Sequence, residues 1–205
     1  EIADDSRIYT GGQDEIGYFQ AAASGRLEYH SLIDLLPAQN RAFGDVWEIV
    51  VYNKEVFFRC TYNIFRLSGG KFINYNPDSD WQFLGKCNGK LYAEESKSGL
   101  KVWDGNNWAP AISNNLQLTH DPITGMMPLA GGGALVATLK SGLFRLKGTE
   151  ISSEGVADEA GFKKERIYAA AALDTDRVVL ATSNAGMFVI DTSGNIIQSI
   201  SAAEG

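Results

Sequence analysis

The sequence predicts an all-β fold, a β-propeller of four-stranded antiparallel blades. Three observations carry it: five in-step repeats, a glycine-based landmark recurring at a propeller period, and almost no helical periodicity. Each repeat holds apolar strands separated by a short polar turn and a Gly-containing hairpin turn. The clearest copies are GALVATLKSGLFRLKGTEIS (133–152), DRVVLATSNAGMFVIDTSGNIIQSI (176–200) and GKLYAEESKSGLKVWDGNNWAPAI (89–112). EVFFRCTYNIFRLSGGKFINY (55–75) and RIYTGGQDEIGYFQAAASGRLEYHSL (7–32) complete the set. Gly17, Asn63, Gly99, Gly142 and Gly186 open the third strand of each copy, at spacings of 46, 36, 43 and 44. A propeller blade of four strands takes about 40–45 residues. Gly25, Gly69, Gly105, Gly148 and Gly194 fall in the following hairpins, where a left-handed turn position favours glycine, and they keep the same step.

The innermost strand precedes each copy: VWEIVVY (46–52), WQFLGKC (81–87), ITGMMPL (123–129) and IYAAAAL (167–173). Small residues such as Gly125 and Ala169 to Ala172 suit that place, because blades crowd together near a propeller axis. EIADDS, before Arg7, is too short and polar for a whole inner strand, so the first blade begins at its second strand. One propeller domain over 1–205 is expected, with blades near 1–44, 45–80, 81–120, 121–164 and 165–205. Four blades and three strands of a fifth fit a five-bladed ring or a piece of a larger one, most often seven-bladed. The piece is the reading adopted, and an open arc of blades is expected to self-associate through its uncovered faces. HSLIDLLPAQNRAF (30–43) allows at most a helical turn before Pro37, and GVADEAGFKKERI (155–167) reads as a long inter-blade loop.

The composition is that of a folded domain, with 44% hydrophobic and 21% charged residues. No apolar run approaches the roughly 18 residues of a membrane span, and no signal-peptide pattern opens the chain. A net charge of −7 without a basic cluster argues against nucleic acid as a partner. Cys60 and Cys87 lack the spacing of a zinc site and are expected to be free thiols, and no cofactor or metal is expected.

RIYTGGQDEIGYF, GRLEYHSLIDLLP, FGDVWEI and NIFRL, with SGLKVWDGNNW and ATLKSGLFRL further on, resemble the two-component-regulator propeller repeats of bacterial sensor-regulators. The resemblance runs through all five units. It implies a seven-bladed periplasmic ring, followed by an immunoglobulin-like triple-tyrosine domain and one membrane helix leading to a histidine kinase or helix-turn-helix output. Those later parts are absent from this chain, so any membrane tether or kinase activity is expected to reside in them. The implied role is a sensor segment in signal transduction and transcription regulation. By the same resemblance, such systems respond to oligosaccharides from polysaccharide breakdown.

Candidate chemistry is sparse. His30 and His120 lie on different blades, and adjacent Glu94 and Glu95 point to opposite faces of a strand, which does not suit an acid/base pair. Asp78 and Asp80 share a face in a polar turn and read as a solvated loop, with calcium as the alternative. Trp103 and Trp108 read as a cross-strand pair. Binding fits better than catalysis, because turns between second and third strands share one rim with the entries to the inner strands. The candidate ligand-binding residues there are Asp45, Trp47, Arg59, Tyr62, Trp81, Glu94, Glu95 and Lys140, a set suited to stacking on sugar rings and bonding hydroxyls. For Trp47 and Trp81, packing between blades is the competing role. The function expected is binding of a carbohydrate or other small-molecule signal, with no catalysis. A propeller lyase or glycosidase and a dimerisation scaffold are the alternatives.

Overall fold

The computed structural model describes residues 1–113, 118, 121–153 and 161–201. Among them nineteen strands form five sheets, each a meander in chain order. The first has three strands, β1 (Ile8–Gly12), β2 (Glu15–Ala21) and β3 (Leu27–Ser31). The second comprises β4 (Glu48–Tyr52), β5 (Glu55–Arg59), β6 (Ile64–Ser68) and β7 (Lys71–Tyr75). The third runs through β8 (Trp81–Cys87), β9 (Lys90–Glu95), β10 (Gly99–Trp103) and β11 (Trp108–Pro110). The fourth holds β12 (Ile123–Pro128), β13 (Ala134–Thr138), β14 (Gly142–Lys147) and β15 (Glu150–Ser152). The fifth holds β16 (Ile167–Ala172), β17 (Arg177–Thr182), β18 (Met187–Asp191) and β19 (Ile196–Ile200). Four full blades and one of three strands are therefore present, as the repeats require.

Turn chemistry sets the hairpins. Gly25, Gly69, Gly105, Gly148 and Gly194 all have positive φ. Asp104 and Asp191 reinforce their turns: Asp104 accepts the backbone N–H groups of Asn106 and Asn107, and Asp191 those of Ser193 and Asn195, at 2.7–2.9 Å. The residues before β1 form a stub in place of an inner strand. Ile2 makes one bridge to Ile8, flanked by hydrogen bonds from Tyr9 N to the Glu1 carbonyl and from Ala3 N to the Arg7 carbonyl.

The loop between the first two sheets holds two 3-10 turns, Ile33–Leu35 and Ala38–Asn40. In the stretch expected to be a loop before β16, residues 154–160 lie outside those described, and Phe162–Glu165 form one helical turn, α1. That turn exists because Phe162 is buried and packs edge-on against Phe188.

The chain divides into two compact units, Glu1–Leu84 and Gly85–Gly205. The core of the first gathers Tyr9, Ile16, Phe43, Phe58 and Phe65. That of the second gathers Met127, Leu135, Phe162, Leu180 and Phe188. All five residues of β13 are buried, so that strand is covered on both faces, as an interior blade strand must be.

Candidate functional site

In the first unit the strand turns and the inner-strand entries do meet. Asp14 N donates to the Gly44 carbonyl, and Val46 N to that of Gly12. One blade further on, Trp47 N donates to the Arg59 carbonyl and Trp81 N to the Thr61 carbonyl, both at 2.8 Å. Asp14, which the sequence reading did not single out, clamps this edge: its Oδ1 accepts from the backbone of Phe43 and Gly44, each at 2.7 Å. Its only sequence signal is a short acidic residue in a turn, held here at φ 54°.

The five candidates of this unit separate into two layers. Asp45 is exposed, Trp47 is 59% exposed and Tyr62 63%. The Trp47 indole N–H reaches Thr61 Oγ1 at 3.3 Å, which steadies the ring without covering it. Arg59 and Trp81 lie beneath, only 6% and 3% exposed. The Arg59 guanidinium donates to the Glu48 carboxylate and, at 2.7 Å, to the Trp81 carbonyl. The Trp81 indole donates to the Tyr75 carbonyl at 3.1 Å. Packing between strands is what Trp81 does, whereas Trp47 is turned outward.

In the second unit Glu94 and Glu95 are buried on opposite faces of β9. Glu94 Oε2 accepts the Ile123 backbone N–H at 2.7 Å, anchoring the entry to β12. Glu95 accepts from Ser98 Oγ and pairs with Lys101 at 3.1 Å. Lys140 is exposed, and its backbone N–H is held by Asp121 Oδ1 at 2.8 Å. Two buried carboxylates, one engaged by backbone and one by neighbouring side chains, beside one exposed ammonium, do not make a concave polar site.

The other candidates follow from their surroundings. The His30 imidazole stacks on Tyr18 at 5.0 Å and makes no hydrogen bond among the described residues; His120 lies outside them. Trp103 and Trp108 are direct cross-strand partners with ring centroids 5.2 Å apart. Asp80 accepts from the Gln82 side chain, and no cluster of three metal-ligating side chains occurs among the described residues. Both cysteines are free and buried, and burial pushes the Cys60 thiol up to about 12 and the Cys87 thiol up to about 11. Neither thiol supplies a thiolate nucleophile near neutral pH. The surface of the first unit at this rim is thus an outward-facing Trp47, Tyr62 and Asp45, able to stack on an apolar ring face and accept hydrogen bonds.

No protein-family model matches the chain. None of the curated proteins matches it either. Solved structures do. The extracellular domain of the one-component or hybrid two-component system BT4673 from B. thetaiotaomicron is 11% identical, with a TM-score of 0.72, over 98% of this chain and 27% of that one. The extracellular domain of the hybrid two-component system BT3049 from the same organism is 13% identical, with a TM-score of 0.52, over 98% and 33%. The WD40 β-propeller domain of Doa1 is 12% identical, with a TM-score of 0.69, over 97% and 66%. The chain thus spans less than two thirds of each of these proteins as solved. At such identities the likeness speaks for architecture, and with five meander sheets in step it establishes that this chain is a partial β-propeller.

Proposed function

We propose that the chain is a segment of the extracytoplasmic sensor propeller of a bacterial two-component or one-component regulator, and that it binds a signal rather than catalysing a reaction. One coincidence carries this reading. The repeat motifs resemble those of two-component-regulator propellers through all five units, and the fold independently matches the extracellular domain of BT4673 over 98% of the chain.

The ligand class we assign to the rim is an oligosaccharide. Trp47 and Tyr62 offer ring faces for pyranose C–H groups, and Asp45 accepts from hydroxyls. In the periplasm, occupancy would favour one packing of the propeller over another, and the domains beyond this segment would read that difference; such a shift requires unequal affinity for the two states. Titrating the chain calorimetrically with a panel of plant and host oligosaccharides tests the reading. Binding by one of them, weakened about tenfold or more in Trp47→Ala and Tyr62→Ala with melting temperature unchanged, supports it. Binding that both variants leave intact removes the rim from the proposal, and hydrolysis or lysis of any panel member replaces the sensor with an enzyme.

A further inference from the structure

A concave site lies at the other end of the first unit's strands, where the β4–β5 turn carries Lys54 and the β6–β7 turn carries Gly69 and Gly70. A cavity of about 230 Å³ opens there, with Asp5, Arg7, Tyr18 and Lys54 contributing polar groups and Leu35 and Leu67 an apolar wall. An adjoining cavity of about 290 Å³ shares Asp5 and Lys54 and adds Asp4.

Three features mark this cleft as built for a ligand. The Arg7 guanidinium lies 4.4 Å over the Tyr18 ring and pairs with Asp5 at 3.4 Å, yet its Nε is buried with no hydrogen-bond partner. The Arg7 side chain is still 37% exposed, so the rest of its guanidinium can donate to an incoming acceptor in the cleft. Lys54 makes no ion pair among the described residues, and its position is fixed by a tight turn in which Asn53 and Lys54 both have positive φ (49° and 65°). Asp5 accepts from the Arg7 backbone N–H at 3.1 Å and, weakly, from the Tyr9 hydroxyl at 3.5 Å, which leaves acceptor sites on its carboxylate.

The charges are balanced, two cations against Asp4 and Asp5, in a chain whose net charge is −7. A simple anion would meet as much repulsion as attraction, whereas a molecule carrying both signs meets an opposite charge at each. The cavity that holds Arg7, Leu35 and Leu67 measures about 230 Å³, below the roughly 300 Å³ at which drug-sized pockets begin, so the occupant is a small metabolite. We propose that this cleft binds a zwitterionic α-amino acid with an apolar side chain. Its carboxylate is held by the exposed part of the Arg7 guanidinium and by Lys54, its ammonium by Asp5, and its side chain rests on Leu35 and Leu67.

The test is calorimetric titration of the chain with L-phenylalanine, phenylacetate and phenethylamine, which present both charges, the carboxylate alone and the amine alone. L-Phenylalanine is expected to bind with a Kd on the order of 0.1–1 mM, and the two single-charge probes about tenfold or more weakly. Arg7→Gln and Lys54→Gln each weaken L-phenylalanine about tenfold, and Lys54, on an exposed turn, reports even where Arg7→Gln perturbs folding. Absence of heat with L-phenylalanine at about 10 mM overturns the proposal. So does phenylacetate binding as tightly as L-phenylalanine, which marks an anion site only, or undiminished affinity in both variants. Trp47→Ala leaves this binding unchanged, so the outcome is separable from that of the sugar titration at the rim.

Discussion

Gly17 sits within β2 because the Tyr29 side chain lies over it: a Cβ built there would come within 2.3–2.5 Å of the Tyr29 hydroxyl oxygen, Cζ and Cε2. Tyr29 is held in place by Glu15, whose Oε1 accepts from the Tyr29 hydroxyl and from Ser31 Oγ, both at 2.6 Å. Gly17→Ala must displace that ring and is expected to cost about 1–3 kcal/mol in urea unfolding. The glycine was legible in the sequence but its reason was not, since its equivalents Gly99, Gly142 and Gly186 are kept for positive φ and Gly17 is kept for space. Glu55 is a residue-scale anchor of another kind. Its carboxylate accepts from Arg66 Nε at 2.8 Å, Arg66 Nη2 at 2.6 Å and Ser68 Oγ at 2.6 Å. The Arg66 hydrogen bonds hold its pKa below the ordinary 4.5, against the opposing effect of burial. A pKa lowered on folding stabilises the native state above the unfolded value and loses that contribution as pH falls through the folded one. Stability should therefore decline as pH drops below 4.5, and Glu55→Gln should flatten that part of a urea-midpoint pH profile. The thiols give a third test. Ellman's reagent at pH 8 should label Cys60 and Cys87 slowly in the folded chain and rapidly in urea, since burial raises both pKa values.

At the scale of elements, the inner strands show why small residues recur. Gly125 of β12 meets Ala170 of β16 so closely that a Cβ on the glycine would lie 2.5 Å from the Ala170 carbonyl oxygen and 2.8 Å from its Cβ. That approach is the crowding anticipated from IYAAAAL and ITGMMPL, and Gly125→Val should cost about 1–3 kcal/mol or more in thermal unfolding. Both strands also carry a register shift near their starts, between Ile123 and Gly125 and between Ile167 and Ala169. No periodicity in the sequence marks those irregularities, because a bulge is selected by how the strand seats against its neighbour. The stub Ile2 and the helical turn Phe162–Glu165 were illegible for the same reason: each exists through a tertiary partner, Ile8 in one case and Phe188 in the other.

For the whole molecule, the terminal sheets matter most. In the first sheet Phe19 and Tyr29, with ring centroids 5.2 Å apart, lie on the face away from the core residue Ile16, and Leu27 on the same sheet is exposed. In the fifth sheet the paired Met187 and Ile200 are exposed on the face away from Phe188 and Leu180. Apolar side chains left open on sheet faces favour association, so the chain is expected to self-associate at micromolar concentration in sedimentation velocity. A monomer at every concentration would contradict this.

The sequence by itself determined the repeat, the hairpins, the four inner strands and the three-stranded first blade. Those depend on local turn chemistry and on a period that any copy of the unit must keep. Only the tertiary structure decided which rim side chains face outward. Trp47 and Trp81 occupy equivalent strand entries and read alike in the sequence, yet one is exposed and the other buried, because a neighbouring strand's carbonyl at Tyr75 receives the second indole and none encloses the first. Glu94 and Glu95 looked like ligand groups until the inner-strand entry at Ile123 and the ammonium of Lys101 were brought against them. The cleft around Arg7 and Lys54 joins residues 47 positions apart whose proximity no spacing in the chain discloses. Side-chain exposure is set by the packing of one blade against the next, and that information is not carried by any single repeat.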